Sequence, residues 1–124
     1  MGKAVFIWQI SPIFSTSGMM AGYGGIQRVK ASRFCKRLQK EIEEKHLDYQ
    51  VVLDDTNGDV YELIEKNYDV WIFAPGGKTR FFIPMEIREK IEGISKIYLE
   101  MLEYHNVDIT KVVNIISSIN KNIE

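Results

Sequence analysis

The chain has one cysteine, Cys35, among its 124 residues. A single thiol excludes an intramolecular disulfide and any cysteine-based zinc site, and such a composition suits a reducing compartment, so a cytoplasmic protein is expected. Long apolar runs are also missing. Ala4 to Trp8 is the longest near the start. It falls far short of the roughly 18 residues that span a bilayer, and short of a signal-peptide core, so neither a membrane span nor a leader is expected. Nor is there an excess of one charge: 16 Lys plus Arg face 17 Asp plus Glu, a net charge of -1. That balance excludes the strongly basic profile of a dedicated nucleic-acid binder. What remains is ordinary in composition, with 45% hydrophobic and 27% charged residues. Such a chain folds, and its length suits a single domain over residues 1–124.

Only three prolines, Pro12, Pro75 and Pro84, punctuate the chain. Ala4 to Trp8 is continuous, β-branched and aromatic, the pattern of a strand buried on both faces. Ser11 to Gly25 holds Ser, Thr, Pro and four glycines, and reads as a long loop. Ile26 to Lys45 then carries Ile26, Val29, Phe34, Leu38 and Ile42 at helical spacing. Tyr49 to Leu53 reads as a second strand, followed by a turn, Asp54 to Asp59, in which Asn57 or Asp59 can cap a short helix over Val60 to Lys66. Tyr68 to Ala74 is the third strand. Met85, Ile87, Ile91 and Ile94 predict another helix, stopped near Gly93. Lys96 to Met101 alternates like a strand, although Tyr98, Met101, Leu102 and His105 also fit a helix; the strand is preferred. Asp108 or Thr110 caps a last helix with Val112, Val113, Ile115, Ile116 and Ile119, before a polar tail from Asn120 to Glu124.

Strands alternating with helical segments imply an α/β open sandwich of about four parallel strands with helices on both faces, because each crossover must be right-handed. Ligands of such sheets sit beyond the carboxyl ends of the strands. Here that rim would comprise 11–25, 54–59, 75–80 and 103–108.

The first rim loop can direct free N-H groups and a helix dipole at an anion. Ser15, Thr16 and Ser17 add hydroxyl donors beside Gly18, Gly24 and Gly25, and Arg28, placed in the first helical turn, adds a bidentate clamp. The alternative is a flexible, solvated loop, since no P-loop or dinucleotide fingerprint is present. After the third strand, Pro75-Gly76-Gly77-Lys78-Thr79-Arg80 is either a solvated turn or a second cationic contributor through Lys78 and Arg80. Asp54 and Asp55 suit a turn better than a general base or metal pair, and no metal site is expected. His46 complements the dipole at the end of the first helix, while His105 falls on the rim if the fourth strand is real. Cys35, beside Phe34 inside the first helix, reads as a buried inert thiol. Arg28, Lys30, Arg33, Lys36, Arg37 and Lys40 make one side of that helix basic, either as a solvated face or for docking an acidic protein. Phe81 and Phe82 form an adhesive patch or the underside of the third helix.

Three stretches resemble the IIB component of the lactose/cellobiose-type phosphotransferase system: Phe14-Ser15-Thr16-Ser17-Gly18, Tyr68-Asp69-Val70-Trp71-Ile72-Phe73-Ala74-Pro75 and Leu102-Glu103-Tyr104-His105. The resemblance implies a IIB-like, flavodoxin-like sandwich in which a cysteine ending the first strand accepts phosphate from a IIA partner and passes it to a sugar held by a membrane component. Here that position reads Gln9-Ile10-Ser11-Pro12, so the phosphocysteine chemistry does not carry over. The resemblance then implies a degenerate domain that binds a phosphate-bearing or other anionic ligand, or a protein partner, without a cofactor. Phosphoryl transfer through Ser11, Ser15 or His105 is the enzymatic alternative, although Ser11 has no evident neighbouring base. A shorter stretch, Gly24-Gly25-Ile26-Gln27-Arg28-Val29, is similar to the opening of the first helix of GT-B glycosyltransferases. It implies at most a protein-interaction subunit or accessory domain, because the nucleotide-sugar half is missing.

Overall fold

The computed structural model describes residues 2–9, 21–56, 58–77, 81 and 83–123, the side chains of 21–27 and 120–123 excepted. The elements are β1 (Gly2–Ile7), α1 (Ala21–Glu44), β2 (Tyr49–Leu53), α2 (Val60–Glu65), β3 (Val70–Phe73), two 3-10 turns (Met85–Ile87 and Glu89–Ile91), β4 (Ser95–Tyr98), α3 (Met101–His105) and α4 (Thr110–Ile123). All strand pairings are parallel, in the order β2-β1-β3-β4. The expected α/β sandwich is therefore present.

Burial explains the sequence patterns. Central β1 is buried from Ala4 to Ile7 and β3 throughout, so both read as unbroken apolar runs, whereas edge strands β2 and β4 mix buried with partly exposed positions. Edge β2 is covered by a side chain of α1: Gln39 Oε1 accepts the Val51 N-H at 2.7 Å. Such capping removes a pairing template from the edge.

The strand order also fixes the layers. From β1 the chain moves outward to β2, then back across β1 to β3, so right-handed crossovers put α1 and α2 on opposite faces. The step from β3 to β4 keeps the direction of the preceding one, placing the 3-10 turns on the face of α2. Helix α4 returns to pack on α1. On that side Phe6, Phe34 and Tyr104 cluster with ring centroids 5.3 to 5.8 Å apart, Phe6 stacked on Tyr104 and Phe34 tilted against both. Trp71 and Phe73, two residues apart on β3, make a T-shaped ring contact, and Phe73 also meets Tyr98 and Phe81 at 5.0 and 4.9 Å.

Several boundaries differ from the sequence reading. Helix α1 starts at Ala21 instead of Ile26, and takes in Gly24 and Gly25. Each glycine costs about 1 kcal/mol against alanine, but extending a nucleated helix adds a hydrogen bond per residue, and the body is already anchored by Ala31, Phe34, Leu38 and Ile42, all fully buried. Val29, expected in the apolar stripe, is instead 59% exposed, because the buried face rotates to Ala31 and Cys35. The helix expected over 85–94 is a pair of 3-10 turns. Only Ile87 and Ile91 are fully inside the core there, with Ile94 partly buried at its margin, a narrow apolar face for a regular helix. The ambiguous 96–101 segment divides: Ser95–Tyr98 pairs with β3, and Met101 opens α3, whose start carries a reciprocal Glu100–Glu103 capping box. Helix α4 continues to Ile123 through the segment read as a polar tail.

At the end of α1 the backbone closes as a Schellman motif. The His46 N-H donates to the Glu43 carbonyl at 3.1 Å and the Leu47 N-H to the Ile42 carbonyl at 3.0 Å, which holds His46 at φ 56°. His46 thus serves as an exposed cap in a left-handed conformation that favours glycine. His46→Gly is expected to stabilise the protein by about 0.5–1 kcal/mol, because relief of the left-handed strain exceeds the added unfolded-state entropy. Urea unfolding midpoints of the two proteins check this.

Candidate functional site

The direction of the chain reverses at β1 and β3, so the carboxyl ends of these two strands form the topological switch point. Its floor is built by backbone bonds that carry the sheet beyond its strands. The Asp54 N-H donates to Phe6 O at 2.9 Å, Ala74 N-H to Ile7 O at 3.0 Å and Leu99 N-H to Phe73 O at 3.0 Å. Trp8 then reaches sideways, its indole Nε1-H donating to the Asp54 carbonyl at 2.9 Å.

Asp54 organises the turn beside it. Its carboxylate is 4% exposed and accepts three hydrogen bonds: Thr56 N-H at 2.9 Å and Thr56 Oγ1-H at 2.6 Å on Oδ1, and Gly58 N-H at 2.9 Å on Oδ2. Thr56 Oγ1 in turn accepts the Asp59 N-H at 3.2 Å, and Asp59 Oδ1 caps α2 through the N-H groups of Tyr61 and Glu62. This chain of bonds runs from strand to helix. The turn's own donors occupy three of the roughly four lone-pair sites of the carboxylate, so Asp54 acts as a turn former, as its sequence setting suggested. Gly58 has φ +76°, and a Cβ there would lie 2.8 Å from the Gln9 carbonyl. The turn therefore abuts the end of β1. Asp55 is exposed and paired with Lys66 at 3.6 Å. Among the described residues no group of three or more His, Cys, Asp or Glu is placed to hold a metal ion.

Beyond β3, Gly76 adopts φ 97° and the Gly77 N-H donates to Ala74 O at 3.2 Å, making a tight turn. Gly77 packs so closely that a Cβ would lie 2.5 Å from the Phe73 Cβ. Phe81 is half-buried against Phe73, which makes it part of the core margin and not an adhesive patch.

Of the residues singled out from the sequence, Ser11, Ser15, Thr16, Ser17, Gly18, Lys78 and Arg80 lie outside the described residues, as does Phe82. Gly24 and Gly25 lie within α1, where the i to i−4 ladder engages the Gly25 N-H. Arg28 moves with them. It stands seven residues past Ala21, about 10 Å along the axis, and not in the first turn. It is exposed and, with Val29, Ser32, Arg33 and Lys36, lines a shallow hollow of about 540 Å³. His105 is exposed at the end of α3, beyond the end of β4. Glu103 on that helix pairs with Lys111 at 2.9 Å, and Lys111 also donates to the Tyr98 carbonyl at 2.7 Å, which fixes α3 and α4 to the strand.

Cys35 is 7% exposed in the interface between α1 and the sheet, and burial pushes its thiol up to about 12. A thiol so placed is neither ionised nor accessible at neutral pH. Sequence reasoning missed the Trp8–Asp54 link and the Asp54–Thr56–Asp59 relay. The signal was present in the Asp-x-Thr-x-x-Asp spacing, which permits an Asx turn leading into an N-cap.

No family model, curated protein or solved structure matches this chain.

Asp54→Asn must turn an amide N-H₂ toward either the Gly58 N-H or the Thr56 donors. A buried donor then faces a donor, and the variant is expected to lose about 1–3 kcal/mol. Asp55→Asn is expected to change stability by less than about 0.5 kcal/mol. Denaturant unfolding of both, side by side, tests the relay.

Proposed function

We propose that this chain is a IIB-like domain without the phosphocysteine, which binds a phosphate-bearing or other anionic group at the rim after β1. The observation that carries the reading is the strand order β2-β1-β3-β4, all parallel, which puts the end of β1 at the switch point; the serine- and glycine-rich segment follows β1 in the sequence. Of the three stretches that resemble the phosphotransferase component, one runs along β3 and one lies in α3 ahead of the last helix, while the first follows β1 in the sequence and lies outside the described residues. Exposed Arg28 supplies a fixed charge on the helix that follows. The burial of Cys35 supports the non-cysteine character of the domain, because no other thiol exists to accept phosphate.

A sugar-transport setting follows from the resemblance alone. Of the non-cysteine acceptors, His105 is the one within the described residues, and its exposure leaves it open to a phosphodonor. Phosphoryl transfer is the second reading, and mass spectrometry after incubation with a phosphorylated carrier protein decides it.

Inorganic phosphate and a hexose phosphate, titrated into the labelled protein to millimolar levels, are expected to shift the backbone amides of residues 11–28. Arg28→Ala is expected to weaken that response about tenfold or more, the range of a lost charge-assisted hydrogen bond, with the remaining amides unmoved. Stationary amides over 11–28 would overturn the proposal.

A further inference from the structure

The two faces of the sheet carry opposite charge. Residues 28–40 on α1 hold six cations and no carboxylate. All six are exposed. Arg37 pairs with Glu41 at 3.3 Å, but Arg28, Lys30, Arg33, Lys36 and Lys40 make no ion pair with another described residue. At 100° per residue the centre of the solvent face falls between Lys36 and Lys40, and exposed Val29 lies on that same line. Across the sheet, residues 55–66 and 85–92 hold seven carboxylates and three cations. Here too apolar groups stand exposed among charges: Tyr61 at 52% and Met85 at 77%. They belong to one surface, because Tyr61 Oη-H donates to Glu86 Oε1 at 2.9 Å.

Because α1 and α2 lie on opposite faces of the sheet, these charges cannot neutralise one another within one molecule. Between two molecules they can. The net charge of -1 leaves almost no overall repulsion between copies, so the asymmetry of the faces governs how they approach. We infer that the basic face of α1 docks on the acidic face of a second copy of this chain, with Val29 set against Tyr61 and Met85 and the charges around them. The contact is heterologous, head to tail, so association continues beyond a dimer unless a ring closes. Nucleic acid fits this face less well, since among the described residues 28–40 the one aromatic, Phe34, is buried and offers no ring for base stacking. An anionic membrane fits less well because the apolar side of α1 is already spent on the sheet.

Sedimentation of the whole chain at low ionic strength is expected to show an average mass that rises above the 14.4 kDa monomer with concentration. It should return to monomer in about 0.5 M salt, where the screening length is roughly 4 Å. The double variants Arg33→Glu with Lys36→Glu, and Glu65→Lys with Glu89→Lys, are each expected to stay monomeric with unchanged circular dichroism. Mixed together, they should associate again, because each presents a face that complements the other. Recovery on mixing cannot come from misfolding. A wild type that remains monomeric at millimolar concentration and low salt overturns the inference, as does association that survives both double variants or fails to recover on mixing. Retention on heparin or on phosphatidylserine vesicles by a monomeric wild type would assign the basic face to a polyanion or a membrane instead, and would equally overturn it.

Discussion

The structure depends on the burial of β1 between β2 and β3. From Ala4 to Ile7 this strand has no contact with solvent on either face, and its hydrogen bonds are taken by a parallel neighbour on each side. A strand in that position requires helical cover above and below. With right-handed crossovers, the same position forces α1 to one face and α2 to the other. The pairing thus determines more than stability. It puts the ends of β1 and β3 side by side at the switch point, and it separates the charges of the two helices by the thickness of the sheet. Truncating Phe6 would remove the ring packed on Phe34 and Tyr104, a change of the kind that costs about 3–5 kcal/mol in a packed core.

The rim combines rigid and permissive parts. On the β2 side, the Asp54 carboxylate, the Thr56 hydroxyl and the Asp59 cap hand hydrogen bonds from strand to helix, while Gly58 lets the turn press against the Gln9 carbonyl. On the β3 side, Gly76 and Gly77 fold the chain back over Phe73. A buried carboxylate with three donors rigidifies its surroundings because every alternative leaves a polar group unpaired. These two walls pack against the ends of β1 and β3.

Much of this was legible in the sequence, for identifiable reasons. The unbroken apolar runs of β1 and β3 can only be doubly buried strands, and β2 was located to the residue because its alternation ends in a turn of Asp, Asn and Gly. Asp59 was recognisable as a cap, and Cys35 as a buried thiol from its place beside Phe34. Helix starts were harder. Glycines at 24 and 25 argue locally against a helix, yet the residues that anchor α1 lie farther along, and elongation from that anchor overrides the local preference. That shift of five residues moved Arg28 from the first turn into the third. The 3-10 turns were misread because Ile87 and Ile91 have helical spacing, and spacing does not report how few side chains the core can accept there. The relay through Thr56 was invisible to periodicity altogether, since it is a property of three polar side chains closing on one another.

The same displacement of α1 divides the labour of its residues. Had the helix begun at Ile26, Arg28 would sit in its first turn, apart from the rest of the basic face. With the start at Ala21, the cations from Arg28 to Lys40 form a continuous strip that begins about 10 Å from the helix end, too long to serve one small anion at the switch point. The strip spans roughly 18 Å, the scale of another protein's secondary-structure element. In the proposed reading an anion engages Arg28 at one end of that strip, and so alters the charge that the face presents to a docked surface. Ligand binding and docking would then be coupled through one shared guanidinium, each weakening the other by the same factor.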